Sequence, residues 1–526
     1  MSQSEQQRQR AGSQPLFVLS EDSERTTGED AQSANIQAGR AVAESVRTTL
    51  GPNGMDKMLV SDAGDVVVTN DGKTILEEMD IEHPAAEMLV EVAEGQAEDV
   101  GDGTTTAVAL AGQLLDQTES LFDDDIHPTT ITRGYREALE VAQKTIDELT
   151  LDTELDDTLL QQVAQTSMTS GGVGGLTPET LGNLVVEAVN AVHTDDGIDR
   201  ESLTVEAQPG RVASASRLVD GIVGDFDTAG VHEPRAIEDV SVSILDTDLE
   251  SPEADIDAEY QFDSTDQFTA AVQAEEQQLQ SYADDIAAAG ADAVFTTGNI
   301  AETTAGALLQ HGITPFENID SSTVTAIATA TGASQVARVS ELTEADLGSA
   351  DTVSTESFDG EELTFVEGGD GDPAATLFIR GGTEHALNEV ERAVNSGIDA
   401  VTAAIESEAV VPGGAAVEIA IAGAVREAAS RYEGREQLAV EAFADAVEAI
   451  PRTLATNAGA DPIDALVELR AANTDGIAGL LGSDAVVGDP VAQGIVDPAS
   501  VKSEAIASAA ETATMISRID DVISAS

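Results

Sequence analysis

The chain of 526 residues carries 99 Asp and Glu against 24 Lys and Arg, a formal net charge of −75. That length predicts about three domains, and with 41% hydrophobic residues it excludes a disordered acidic polymer. So acidic a surface argues against nucleic acid as a partner, because phosphates are neutralised by Lys and Arg, and the absence of Cys excludes disulfides and thiolate metal sites.

The polar N-terminus (MSQSEQQRQRAGSQP) lacks the apolar core of a signal peptide and reads as a mobile arm. From Ala31 to Thr48 the positions of Ile36, Ala41, Val42 and Val46 predict an amphipathic helix, stopped by Leu50-Gly51-Pro52-Asn53-Gly54. Two short runs, Met58-Leu59-Val60 and Val66-Val67-Val68-Thr69, flank a turn at Asp62–Asp65 and predict a hairpin. Met58, Leu59 and Val60 are expected to be plain core. Asn70-Asp71-Gly72 then leads to helical segments over Ile75–Glu78 and Ala85–Val100. A second glycine turn, Gly101-Asp102-Gly103, precedes Thr104-Thr105-Thr106 and a helix over Ala107–Leu115, with another over Ile131–Leu149.

From roughly Leu218 to Glu367 short β-type runs (Val240–Leu245, Ala293–Thr297, Val324–Ala328, Leu363–Val366) alternate with helices, which predicts an α/β domain. Within it Leu249–Gln280 is acidic, lacks an apolar face and is expected to project outward. A helix over Glu384–Glu406 follows, then a break at Val411-Pro412-Gly413-Gly414 and mostly helix to the end. The most apolar stretch, Ala409–Val425, contains Pro412, Gly413, Gly414 and Glu418, so no membrane span and no membrane partner are expected. The expected location is the cytoplasm.

Three turns have the make-up of phosphate and metal chemistry. At Thr49-Leu50-Gly51-Pro52, glycine lets backbone N–H groups approach an anion. Gly101 to Thr106 opens a helix whose N–H groups and three hydroxyls suit phosphate oxygens, beside a carboxylate able to hold Mg²⁺. Asn70-Asp71-Gly72 offers a second carboxylate that could orient a water. No Walker motif is present.

In this order and spacing, TLGPNGMDKMLV, VVVTNDGKTILEEMDIEHPAAEML and GDGTTTAVALAGQLL resemble the nucleotide site of the group II chaperonins, the archaeal thermosome and the eukaryotic cytosolic chaperonin. So do IRGGTEHALNEVERAV, VVPGGAAVEIAIA, EAFADAVEAIPRTLATNAGADP, GIVDPASVKSEAI and MISRIDDVI. The likeness runs from about Gln14 to the C-terminus and weakens over Ser170–Arg217 and around Leu249–Gln280. It implies a multidomain α and α/β protein of chaperonin architecture: a mostly helical equatorial ATP-binding domain from both chain ends (1–143 and 410–526), a small intermediate domain (144–216 and 374–409), and an α/β apical domain (217–373) with a helical protrusion near 249–280. It implies an ATP-driven folding machine of two stacked rings, with homologous subunits and unfolded or partly folded client proteins as partners. ATP and Mg²⁺ are the implied cofactors, with K⁺ a further candidate.

The resemblance also assigns roles. Gly51 lies against the nucleotide phosphates, Gly103, Thr104, Thr105 and Thr106 contact them, Leu50, Pro52 and Ser167 also border the nucleotide, and Asp102 holds Mg²⁺. Asp71 helps polarise the attacking water, Gly413 and Gly414 pack by the nucleotide, and Asp497 meets the ribose. Two positions depart from the family. Ser396, in Glu391-Arg392-Ala393-Val394-Asn395-Ser396-Gly397, stands where relatives carry a second carboxylate; loss of such a base costs about 10²–10⁴ in rate. Asp399, a helical turn away, could substitute only after a shift of about 5 Å. Gly171 replaces a lysine that approaches the γ-phosphate.

The only lysines are Lys57, Lys73, Lys144 and Lys502. An acidic chain so poor in lysine reads as adapted to a salt-rich cell interior, where charge repulsion is screened, and so as a salt-adapted archaeal subunit. Lys73, two residues after Asp71, is then a candidate to restore the cation lost at Gly171. Three functional readings stand: a hydrolysing chaperonin subunit, an accessory or scaffold subunit of a mixed ring that barely hydrolyses ATP, and a stand-alone Mg²⁺-dependent nucleotide hydrolase.

Overall fold

A computed structural model describes residues 24–61, 64, 66–168, 176–194, 197–210, 213–230, 236–251, 265–358, 361–474 and 476–524. The N-terminal arm and Gly171 lie outside them. Sixteen α-helices are found among the described residues. In chain order they are α1 (Glu29–Arg47), α2 (Gly72–Glu77), α3 (Pro84–Val100), α4 (Thr104–Asp123), α5 (Pro128–Leu149), α6 (Asp157–Ser167), α7 (Pro178–Val192) and α8 (Thr265–Ala289). Then come α9 (Glu302–His311), α10 (Ser321–Thr331), α11 (Glu384–Ser407), α12 (Ala416–Ala429), α13 (Arg435–Val447), α14 (Ala449–Asn457), α15 (Pro462–Ala472) and α16 (Ala499–Ser517).

The apolar positions sort these elements into separate cores. One draws on both chain ends: Ile36 of α1, Leu89 of α3, Leu114 of α4, Val425 of α12, Phe443 of α13 and Ile516 of α16 are buried in one cluster. The ends also meet as strands, β1 (Glu24–Thr27) pairing antiparallel with Asp521–Ser524. A second core joins α6, α7 and α11 through Val163, Val189 and Val394 to the strand Ala375–Gly381.

The middle of the chain forms most of a ten-stranded sheet. Its order is Leu203–Pro209, Ala375–Gly381, Arg217–Gly224, Glu361–Glu367, Gly348–Phe358, Ala236–Leu245, Ala293–Thr296, Thr314–Glu317 and Asp227–Thr228, with Gln335–Val336 beside Ala236–Leu245. Ala293–Thr296 is buried throughout and pairs parallel on both sides, which explains its unbroken apolar run. Further clusters, one with Phe295 and Phe316 and one with Ile286 and Leu308, complete this part.

Three sequence expectations need correction. Val324–Ala328 is not a strand but part of α10. Asp320 caps that helix, accepting from the Thr323 N–H at 2.8 Å, and Val324, Ile327 and Thr331 are buried at helical spacing. The segment Leu249–Gln280 is not wholly a projection: Leu249 is fully buried and Leu279 nearly so, while residues 252–264 lie outside the described part. The hairpin forms as β2 (Lys57–Val60) and β3 (Val66–Thr69), yet Met58 and Val60 are 70% and 63% exposed rather than core. A two-stranded ribbon has two faces and the body of the chain covers only the one bearing Leu59.

Candidate nucleotide site

The first wall of the site is the turn after α1. Asn457 of α14 donates its side-chain N–H groups to the carbonyl oxygens of Leu50 and Arg47 at 2.9 and 3.2 Å, fixing the turn from 400 residues downstream. Gly51 has φ 86°, and a Cβ there would strike Leu454. Only glycine lets this backbone pass.

The second wall is the turn between α3 and α4. Gly101 and Gly103 take left-handed φ of 69° and 82°, so the chain reverses within three residues and aims Asp102 at α6 and α11. Gln96, buried in α3, donates to the Asp102 carbonyl oxygen at 2.7 Å. The Asp102 carboxylate accepts from the Gly103 N–H at 2.6 Å, and its Oδ2 lies 2.9 Å from the Ser167 hydroxyl, which also reaches the Ser396 carbonyl oxygen at 3.0 Å. One serine thus ties the turn to α6 and α11, two helices of the second core. Burial pushes the Asp102 carboxyl up to about 6 and the Asp497 charge adds to this, against the Gly103 N–H, Ser167 and Lys502. α4 starts with no side-chain cap, leaving the N–H groups of its first turn open to the site.

Asp71 caps α2, its Oδ2 accepting from the backbone N–H and hydroxyl of Thr74 at 2.7 and 2.8 Å. Together these elements enclose a cavity of about 130 Å³ lined by Leu50, Gly51, Asp71, Asp102, Gly103 and Thr104 to Thr106, with Ser167 of α6 and Ser396 of α11 opposite.

A second cavity, of about 360 Å³, shares Leu50, Gly51 and Thr106 with the first and continues to Pro52, Gly414 and Asp497. Its walls are largely apolar, from Ile450, Leu454, Leu480 and Ile495. Asp497 is brought in by a short pairing in which Val411 faces it. Gly414 lies beneath Leu480, whose carbonyl oxygen a Cβ would meet at 2.5 Å, whereas Gly413 packs on Ile495 behind the lining. A polar chamber therefore opens into a largely apolar one.

Sequence reasoning missed Lys502 and Glu418 here. Lys502 Nζ lies 2.9 Å from Asp497 Oδ2 and 3.0 Å from Glu418 Oε1, while the buried Glu418 Oε2 has no hydrogen-bond partner among the described residues. Burial opposes the Lys502 charge, yet Asp497 and Glu418 outweigh it and hold the ammonium protonated. The signal was present: Lys502 is one of four lysines in the chain.

Two candidates fall away from the cavity. Asp399 Oδ1 is paired with Arg200 Nε at 2.6 Å behind Gly101, and burial pushes its carboxyl up against the Arg200 charge. It is paired with Arg200 and is not among the residues that line the cavity. Lys73 lies outside the lining, 43% exposed, with Glu77 Oε1 at 3.7 Å one turn along the same helix.

The family model described as the TCP-1/cpn60 chaperonin family matches residues 42–526. The chain belongs to that family. Among curated relatives, thermosome subunit 3 of Haloferax volcanii is 53% identical over 97% of this chain and 99% of its own length. Thermosome subunit alpha of Halobacterium salinarum is 48% identical over 98% and 92%, and thermosome subunit beta of Methanothermobacter thermautotrophicus 44% over 98% and 96%. The chain is thus a chaperonin subunit, an ATP-hydrolysing chaperone of helical and α/β architecture, and its family membership implies nucleotide dependence, assembly with other subunits and client binding. No helix among the described residues is long and apolar enough to cross a membrane.

The chemistry of this chaperonin's lining fits a magnesium-bound nucleotide. The uncapped start of α4, the threonine hydroxyls and the glycine turns supply donors without side-chain bulk. Among the described residues no cluster of three or more His, Asp or Glu could hold a metal alone. Mg²⁺, which keeps waters and binds through one or two carboxylates plus phosphates, suits Asp102 on a lining that also carries Asp71 and Glu389.

Proposed function

We propose that the joined cavities bind Mg²⁺-ATP, with the phosphates on Gly51 and the N–H groups and hydroxyls of Thr104 to Thr106, and with the base and ribose between Gly414, Leu480 and Asp497. The supporting observation is the shared wall: Leu50, Gly51 and Thr106 border both the carboxylate-lined and the apolar chamber. Asp102 would hold the Mg²⁺, which supplies Lewis-acid charge to the phosphates. Asp71, fixed by Thr74, orients water at the far end of the smaller cavity. K⁺ is a further candidate, supported only by the salt-adapted composition.

Around this site we read 1–143 and 410–526 as an equatorial domain, 144–216 and 374–409 as an intermediate domain, and 217–373 as an apical, client-binding domain. The Ser167 contact to both Asp102 and Ser396 is where the first meets the second. The exposed face of the β2–β3 hairpin, with Met58, Val60, Val66 and Val68, is suited to a neighbouring subunit of a double ring. The setting is a salt-rich archaeal cytoplasm.

Ser396 favours a second reading, an accessory subunit of mixed rings that binds ATP and hydrolyses it slowly. A serine on the cavity face of α11 cannot take a proton from water as a carboxylate does. Steady-state turnover of purified rings in molar KCl separates the readings. Ser396→Asp is expected to raise it by about tenfold or more. Unchanged turnover beside a fast parent protein would reject the slow-subunit reading, and no calorimetric heat with ATP and Mg²⁺ would reject nucleotide binding altogether.

A further inference from the structure

The face that α11 turns to the smaller cavity carries Glu389, Arg392, Ala393 and Ser396. Among the described residues lining that cavity, Arg392 is the one cation, set against the carboxylates of Asp71, Asp102 and Glu389. Its Nη2 donates to Glu389 Oε1 at 2.6 Å and to the Val68 carbonyl oxygen of β3 at 3.1 Å. Its Nε is buried with no hydrogen-bond partner among the described residues. A buried N–H of a charged group left unpaired is costly. The side chain that carries it is part of the lining of the smaller cavity.

We propose that Arg392 grips the terminal phosphate of the bound nucleotide and is the residue by which the site distinguishes a nucleoside triphosphate from a diphosphate. This rests on the nucleotide reading above and deepens it. The inner phosphates belong at the junction of the two cavities, by Gly51 and Thr106, because those residues border both. The next phosphate then points across the smaller cavity toward α11 and Asp71. It arrives in a lining rich in carboxylates, to which Lys73 does not belong, while Lys502 is held by Asp497 and Glu418. A guanidinium presents paired N–H donors in a fork that matches phosphate oxygens, which a point charge does not. Arg392 and Ser396, four residues apart, lie on one side of α11 and address the same end of the ligand.

The test is calorimetric titration of the full chain with ATP and separately with ADP, both with Mg²⁺ in molar KCl, for the parent protein, Arg392→Ala and Arg392→Lys. Loss of one charge-assisted contact predicts ATP affinity weakened about tenfold or more in Arg392→Ala, with ADP affinity unchanged. Arg392→Lys keeps the charge without the fork and is expected to recover part of the loss; it also carries the test if the alanine variant fails to fold. Equal weakening of ATP and ADP, or no change in either, overturns the proposal. A parent protein that binds ADP and ATP leaves the nucleotide reading standing in both cases. One that binds neither removes that reading and the role of Arg392 together.

Discussion

Lys502 stands between two carboxylates, one of them 84 residues away in the chain, and is only 15% exposed. Replacing it with Met would leave Glu418 and Asp497 facing each other without a cation in a nearly dry wall. Breaking a buried pair from one side typically costs about 3–5 kcal/mol. Lys502→Met should therefore lose stability on that scale in urea titrations at fixed KCl. Lys73 is the converse case. The sequence marks it as equally unusual, but its partner is Glu77 on an exposed helix turn, a pair worth about 0.5 kcal/mol at most. Lys73→Ala is expected to leave nucleotide affinity and melting temperature nearly unchanged; a clear loss of ATP affinity would put Lys73 back at the phosphates. Scarcity drew the eye to Lys73 and not to Lys502, because which lysine is buried depends on chain crossings that no local pattern reveals. The glycine turns were legible because positive φ and close backbone approach leave few other residues possible there. The orphaned Nε of Arg392 was not, since it arises only when β3 and α11 meet.

At the scale of elements, α1 followed from apolar spacing, whereas α6 and the Asp156 and Asp461 caps of α6 and α15 came only with the structure. The α10 segment was misread because Val, Thr and Ile favour strands, and the Asp320 cap and tertiary burial overrode that preference. The exposed hairpin was misread because apolar composition does not say which neighbour will cover it. Packing among helices α12 to α15 adds a feature invisible to sequence. Glu448, 1% exposed between α13 and α14, receives Arg426 of α12, Arg470 of α15 and, at 3.6 Å, Arg452. Burial pushes its carboxyl up, but the hydrogen bonds and charges of Arg426 and Arg470 prevail and hold it below the ordinary range. A folded value below the unfolded one of about 4.3 means the stabilisation is complete above that pH and is lost as pH falls through the lower folded value. Glu448→Gln should cost about 3 kcal/mol near neutrality and flatten the acid limb of the melting-temperature profile. Parallel profiles for the two proteins would show that this cluster does not set acid sensitivity.

Across the whole molecule, 99 acidic side chains against 24 basic ones make the surrounding salt part of the stability balance. The Debye length is about 3 Å at 1 M and about 10 Å at 0.1 M, so dilution lets carboxylates on neighbouring turns repel one another. The melting temperature is expected to fall steadily as KCl is lowered from molar to about 0.1 M. A flat profile would mean that the charge is neutralised locally rather than by the medium.

The union of Ile36 and Ile516 in one core, sealed by β1 against Asp521–Ser524, has a consequence for biosynthesis. A ribosome delivers the wall bearing Gly51 and Asp102 several hundred residues before the wall bearing Asp497 and Lys502. The strands of the middle segment can close among themselves meanwhile, as contiguous units do during synthesis. The half-built compartment must wait, its oily surfaces uncovered, until those later residues emerge. A protein that attends to the folding of others would then be, in its own infancy, among the chains most in need of such attention.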